Sequence, residues 1–221
     1  MMNSIMETVC KVCVKVRQQT KDGVSFRGLL TLIRREFKQG GVVLKVRTTR
    51  DKTLVEEVFY VNGYYDPEDD KEGDCPIELI VTHNFNLNEA WYPIHATLLL
   101  TQIFDTVVHE LRHQRQHRTR KFEFSFIRGT ELEEYLSDPD EIDAYSISIA
   151  TELVRNLGKD RAIRYLTNPN SLSRLKLHGK FVSPCLGMYI GTFPNSSQTV
   201  KRLIKKVYVR LKKVDTDNVF M

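Results

Sequence analysis

The longest apolar stretch of the chain is Ala96–Leu111, and it lies in a run after Pro93, from Ile94 to about Arg118, that has no glycine or proline. Proline is favoured in the first turn of a helix, so this segment predicts a helix that starts there. Its apolar side chains cover nearly every side of such a helix, which is typical of a buried helix. They are Ala96, Leu98, Leu99, Leu100, Ile103, Phe104, Val107, Val108 and Leu111. Polar residues interrupt the run well short of the roughly twenty apolar residues that a membrane span needs, so no membrane crossing is expected.

The end of this segment reads His109-Glu110-Leu111-Arg112-His113, an HExxH motif. Residues four apart differ by about 40° around a helix and about 6 Å along it, so both imidazoles can reach one metal ion. Glu110 is turned by about 100° from His109, so its carboxylate is placed as a general base and not as a ligand. Two histidines and a glutamate at this spacing can also lie on an ordinary polar helix face that binds no metal. This helix is otherwise apolar, and burying unpaired ionisable groups is costly, which favours a zinc site.

A catalytic zinc site needs a third protein ligand. His117 follows on the same helix, but it lies about 12 Å beyond His109, which is too far to share one ion. We therefore expect His117 to be a surface histidine of the basic stretch Arg115–Lys121.

The segment YLSDPDEIDAYS offers carboxylates for the third position. Glu141 is followed by Ala144, which is small enough to let this helix approach the first one closely. Asp138, Asp140 and Asp143 compete with Glu141 for the role. An acidic first turn is also what the dipole of any helix favours.

A small sheet is predicted before the HExxH helix. The first forty residues carry two apolar stripes at helical spacing, and Gly40-Gly41 ends the second helix. Three segments rich in β-branched and aromatic residues follow, with a turn expected at Asn62-Gly63. These segments are Val42–Thr48, Leu54–Val61 and Ile77–Thr82.

The C-terminal half is predicted to be mainly helical. One helix begins at Pro139 and ends at Gly158, and a short helix covers Asp160–Thr167. Leu177–Phe193 is expected to form loops. Apolar residues at helical spacing over residues 200–214 predict an amphipathic last helix.

Composition fits one globular domain. The chain has 221 residues, 41% of them hydrophobic and 28% charged. We predict a single α+β domain over residues 1–221, with a small mixed sheet packed on the buried HExxH helix and on the glutamate-bearing helix after it. The four cysteines fit reduced thiols of a cytoplasmic protein, with Cys10 and Cys13 facing the core, and the first residues lack the pattern of a secretory signal.

Charge is distributed unevenly along the chain, whose net charge is +5. Six acids lie within Asp66–Asp74, and seven bases without an intervening acid lie within Lys201–Lys213. A basic surface can bind nucleic acid. Because these bases fall on the polar side of the amphipathic last helix, a solvated face is favoured over a nucleic-acid site.

The segments HELRHQ and YLSDPDEIDAYS resemble the phage-encoded HExxH peptidase-like proteins and, more broadly, the compact gluzincins, whose third ligand is a glutamate in an E-x-x-A helix. The resemblance covers residues from His109 to roughly Glu152 and implies a zincin-like fold and a zinc-dependent peptide hydrolase. In the implied site, His109, His113 and Glu141 hold Zn²⁺ and Glu110 is the catalytic base. The resemblance also implies that Ile77–Thr82 is an edge strand that pairs with an extended substrate.

The chain departs from the family pattern at two positions. Arg112 stands where an uncharged residue is common, and Tyr145 stands where some gluzincins have an aspartate that orients a ligand histidine. Asp105, one turn before His109, could replace that aspartate. The residue that stabilises the oxyanion is left open among four candidates, Tyr135, Tyr145, Tyr165 and His178.

Three functions are consistent with these patterns. The first is a peptidase of a phage or phage-derived genome, acting on a protein or peptide substrate in the host cytoplasm or the virion. The second is a zinc-fold protein without activity, structural or virion-associated. The third, which is not favoured, is a nucleic-acid-associated factor that uses the last helix and the bases around the HExxH motif. Those bases are Arg112, Arg115, Arg118, Arg120 and Lys121.

Overall fold

A computed structural model of the chain describes all residues except 1, 56–58, 71–74, 85, 87–89, 92, 121–130, 169–175, 178, 179, 215, 217, 218, 220 and 221. The fold is α+β, as predicted. The chain divides into two compact units, Met1–Phe122 and Glu123–Val219. Within the described residues, no helix is both long enough and apolar enough to cross a bilayer.

The first unit combines helices with short strands. Both predicted N-terminal helices are present, and the second ends at Gly40 as expected. Ser25 begins that helix by accepting a hydrogen bond from the Gly28 N–H at 3.1 Å. The elements are α1 (Met2–Gln19), β1 (Val24–Ser25), α2 (Phe26–Gln39), β2 (Leu44–Arg50), β3 (Phe59–Tyr64), β4 (Ile77–His83), β5 (Ala90–Trp91) and α3 (Pro93–Thr119).

Three of these strands form a mixed sheet in the order β2-β4-β3. β2 runs parallel to β4 with Leu44 opposite Ile77, and β3 runs antiparallel to β4 with Val61 opposite Val81. The prediction that Ile77–Thr82 is an edge strand is wrong, because β4 is paired on both sides. In this sheet β3 and β2 are the outer strands.

β3 extends further along the chain than the second of the three strands that the sequence predicts. We expected a strand over Leu54–Val61 and a turn at Asn62-Gly63, whereas β3 contains both of these turn-prone residues. At Gly63 a Cβ would collide with Thr106 Cγ2 and would lie 2.8 Å from Glu110 Cγ, both on α3. Glycine is required here because the strand and the helix approach closely, not because the chain turns.

α3 is buried along most of its length, as predicted. Leu99, Ile103 and Val107 have no exposed surface, although Leu98 is 54% exposed. The Val61 N–H of β3 donates to Gln102 Oε1 at 3.1 Å, which joins the outer strand to the helix.

Cys10 and Cys13 are buried in α1, as predicted. None of the four cysteines forms a disulfide in this structure. The thiol of Cys13 donates to the Leu100 carbonyl at 3.8 Å, which ties α1 to α3.

The second unit is built around one buried helix. α5 packs against α4, α6, α7 and α8. It starts at Pro139, where Asp138 accepts from the Asp140 N–H at 2.6 Å, and it ends at Gly158, whose φ of 76° is a conformation that glycine adopts readily. The elements are α4 (Leu132–Ser137), α5 (Pro139–Leu157), α6 (Lys159–Thr167), β6 (Lys176–Leu177), β7 (Lys180–Phe181), α7 (Pro184–Thr192) and α8 (Gln198–Lys213).

The stretch that we expected to form loops contains α7. Two groups hold the beginning of this helix. Ser183 accepts from the Leu186 N–H at 3.1 Å, and the buried Glu152 of α5 accepts from the Cys185 N–H at 3.2 Å and from the Ser183 hydroxyl. The prediction failed because these contacts outweigh the helix-weakening glycines of the segment.

α8 is the predicted amphipathic helix. Its apolar residues Val200, Leu203, Val207 and Leu211 are at most 1% exposed. The expectation that its bases are all solvated is only partly right, because two of them form ion pairs with Asp143 of α5.

Candidate metal centre

The two histidines of the HExxH motif converge on one side of α3. His109 Nε2 and His113 Nε2 are 3.0 Å apart, and the rings meet edge to face with centroids separated by 4.7 Å. The two residues are only 9% and 8% exposed. The four-residue spacing therefore brings both imidazoles together, as predicted.

Glu141 joins these histidines in one buried group. The ligand atoms of His109, His113 and Glu141 all lie within 4.8 Å of one another, and the group could hold a metal ion. Two zinc ligands at about 2.0–2.1 Å and at a tetrahedral angle would be about 3.3 Å apart, close to the separation of the two Nε2 atoms. The donor set of two imidazoles and one carboxylate also suits zinc.

Two of the three aspartates that compete for the third position have other roles. Asp138 caps the beginning of α5. Asp143 accepts hydrogen bonds from Lys206 and Arg210, each at 2.8 Å. Asp140 is buried but is not part of the group.

Glu110 lies apart from this group. It is half-buried, and its Oε1 is 3.0 Å from the position that a Cβ would take at Gly63. The carboxylate therefore lies against β3. The predicted position of Glu110 against a metal-bound water stays a prediction.

Tyrosines surround Glu141. Tyr135 of α4 forms hydrogen bonds with Tyr145 and Glu141, and its ring meets that of Tyr145 at 6.4 Å and 89°. Burial of its hydroxyl end, together with the charge of Glu141, raises the pKa of Tyr135. Tyr189 also packs on Tyr145, with ring centroids 5.6 Å apart.

Two of the four oxyanion candidates are thus beside Glu141. These are Tyr135 and Tyr145, whereas Tyr165 belongs to α6 and His178 falls outside the described residues. Sequence reasoning missed Tyr189, because its segment was expected to form loops. The sequence carries no local signal that would have placed it.

The prediction that His117 is a surface histidine is wrong. His117 is 5% exposed, and its Nδ1 is 2.9 Å from the Tyr65 hydroxyl. That hydroxyl donates to Asp70 Oδ2 at 2.7 Å, and Asp70 has no exposed surface. Arg118 closes the network with hydrogen bonds of 2.8 and 3.0 Å to the two oxygens of Asp70.

This network also includes one of the bases assigned to a nucleic-acid surface. Arg118 is held by a buried carboxylate, that of Asp70 in the acidic segment, and Lys121 lies outside the described residues. The role suggested for Asp105 toward His109 stays a prediction.

The chain matches no protein-family model, no curated protein and no solved structure. Function is therefore inferred from the chemistry of the site itself.

Proposed function

We propose that the chain is a zinc-dependent peptide-bond hydrolase of the gluzincin type, encoded by a phage or a phage-derived genome. The observation that supports this most is the buried group of His109, His113 and Glu141. Glu110 follows His109 directly on α3. A cation bound there would compensate the charge of the buried Glu141 carboxylate, which is costly to keep in an apolar interior.

His109, His113 and Glu141 are the proposed ligands. A bound Zn²⁺ would polarise the peptide carbonyl and lower the pKa of water toward 7. Three protein ligands leave a fourth position open, which distinguishes a catalytic site from a structural one.

Glu110 is the proposed general base. Its carboxylate takes a proton from the attacking water as the oxygen adds to the carbonyl carbon. It then returns a proton to the amide nitrogen as the carbon–nitrogen bond breaks. The contact with Gly63 limits the positions that the Glu110 side chain can take.

Tyr135 and Tyr145 are the proposed oxyanion donors. The raised pKa of Tyr135 keeps its hydroxyl protonated at neutral pH, so it can donate to developing negative charge. Each hydroxyl has one hydrogen to donate, so donation to the oxyanion would replace the present hydrogen bonds of Tyr135 with Tyr145 and Glu141, which orient the Glu141 carboxylate before substrate binds.

The test compares the parent with Glu110→Gln. Each protein is incubated with denatured casein and with a host lysate, with and without a chelator, and new peptide termini are mapped by mass spectrometry. We expect chelator-sensitive cleavage by the parent and a rate that is lower by about 10²–10⁴-fold in Glu110→Gln, because the amide cannot accept the proton. Zinc content should be unchanged.

Glu68→Gln is the matched control, since it makes the same change at an exposed glutamate. It should cleave like the parent. A zinc-loaded, folded parent that cleaves nothing would favour the zinc-fold protein without activity. Loss of zinc from Glu110→Gln would make Glu110 a ligand and contradict the proposed roles.

A further inference from the structure

A groove in the second unit lies between the beginning of α5 and one face of α8. Its volume is about 480 Å³, which is in the range of small ligand and side-chain pockets. Pro139 and Ile142 of α5 and Val209 of α8 give it an apolar lining. Val209 is 43% exposed, although it lies on a helix whose other valines are largely buried.

Basic side chains line the same groove. Arg202, Lys205, Lys206 and Arg210 all come from α8, and among the described lining residues Asp143 alone carries a carboxylate. Four cations against one carboxylate leave a surplus of three positive charges. The groove is therefore apolar in its lining and strongly cationic around it.

Two of the four basic side chains form ion pairs with Asp143, and the other two can pair with a ligand. Lys206 and Arg210 each bind Asp143 at 2.8 Å, which holds their side chains along the groove. Arg202 and Lys205 are exposed, and no ion pair is formed by either within the described part of the chain. A ligand that brings carboxylates can thus pair with Arg202 and Lys205 without breaking a contact of the fold.

We propose that this groove binds an acidic protein segment that also carries aliphatic side chains. Carboxylates of the segment pair with the cations, while a leucine or similar side chain covers Ile142 and Val209. Nucleic acid fits less well, because single strands are held mainly by stacking on aromatic side chains, and none of the described residues that line the groove is aromatic. The proposal concerns binding alone, so it does not depend on hydrolysis.

The segment would dock on the helix that also carries Glu141. Glu141 and Ile142 are consecutive residues of α5. If the chain is a peptidase, the groove selects proteins with acidic segments. If it is not, the groove still gives it a protein partner.

The test uses the full chain carrying Glu110→Gln, so that no peptide is cut during the measurement. The probe is a fluorescein-labelled peptide in which leucines alternate with pairs of glutamates, and binding is followed by fluorescence anisotropy. Three further probes are a peptide with serine in place of leucine, a peptide with lysine in place of glutamate, and a single-stranded DNA of equal length.

We expect the acidic leucine peptide to bind best. The double variant Arg202→Glu, Lys205→Glu should weaken its binding by about tenfold or more, and Val209→Ser should weaken it by about threefold or more. Thermal unfolding should change little, because all three residues are exposed.

The matched control is Lys201→Glu, Lys213→Glu. It makes the same change in net charge on the same helix, at exposed positions outside the groove. This control should bind the peptide nearly as well as the Glu110→Gln parent. Equal weakening by both double variants would overturn the proposal, as would equal binding of the serine peptide or tighter binding of the DNA.

Discussion

His113 and His117 are one helical turn apart on α3, both are buried, and their surroundings differ completely. His113 faces His109 and belongs to the group with Glu141. His117 faces Tyr65, which connects it to Asp70 and Arg118. The same residue type at the same spacing therefore belongs at one turn to a group that could hold a metal ion, and at the next turn to a hydrogen-bond network. What decides the role is the side chain that another part of the chain supplies.

The proton on His117 follows from that network. Burial raises the pKa of Tyr65, so its hydroxyl stays protonated, and it donates to the Asp70 carboxylate, which only accepts. The Tyr65 oxygen is then free to accept, so His117 carries its proton on Nδ1. In the metal group, His109 and His113 instead present their Nε2 atoms to each other at 3.0 Å.

The largest expected difference between the two histidines is in the zinc content of their alanine variants. We expect His113→Ala to lose nearly all of its zinc and all measurable peptidase activity, because a tetrahedral site cannot spare a protein ligand. His117→Ala should keep both. Elemental analysis of the two purified variants checks this, and zinc loss in His117→Ala with retention in His113→Ala would reverse the two roles.

Asp70→Asn should have the next largest effect, on stability alone. Removing the charge leaves Arg118 without its carboxylate, and we expect the free energy of unfolding to fall by about 2–4 kcal/mol, since breaking a buried ion pair costs about 3–5 kcal/mol and Arg118 is partly exposed. Urea unfolding measures this. Unchanged stability, or loss of zinc from the folded variant, would contradict the separation of the two clusters.

The same carboxylate predicts a pH dependence. Burial raises the pKa of Asp70, but the hydrogen bonds from Arg118, Tyr65 and the Cys75 N–H outweigh it, so the net pKa is below the usual value. The folded pKa is thus lower than the unfolded value of about 4, so this stabilisation is complete above about pH 4 and is lost as pH falls through the folded pKa. Asp70→Asn should lose less stability than the parent over that acid range, and equal losses would contradict the assignment.

Tyr65→Phe is the mildest change. It removes one hydroxyl that bonds to both Asp70 and His117, and we expect a loss of about 1–2 kcal/mol in the free energy of unfolding. Zinc content and cleavage should match the parent. Tyr64→Phe, an exposed neighbour, is the control and should be nearly neutral. A larger loss in Tyr64→Phe would contradict the network.

The elements that sequence predicted well depend on local signals. Proline and an aspartate cap begin α5, uninterrupted apolar periodicity defines α3 and α8, and the four-residue spacing pairs His109 with His113. These signals lie within one or two turns of the residues that they position, so they could be found without knowing the fold.

The errors all involve partners distant in sequence. β3 includes Gly63 because α3 lies against it, and β4 is central because β2 and β3 reach it from both sides. α7 forms because Glu152 holds its first turn, and His117 is buried where Tyr65 packs against it and bonds to its ring. A local sequence pattern does not show which residues from distant parts of the chain will pack against it.

The central claim is that Glu141 completes the metal group while its acidic neighbour in the same helix does not. The direct measurement is zinc per chain in the parent, in Glu141→Gln and in Asp143→Asn after loading with zinc and removal of the excess. We predict about one zinc in the parent and in Asp143→Asn, and almost none in Glu141→Gln, because three protein ligands are needed to hold the ion. Zinc retained by Glu141→Gln, or lost from a folded Asp143→Asn, would contradict the claim.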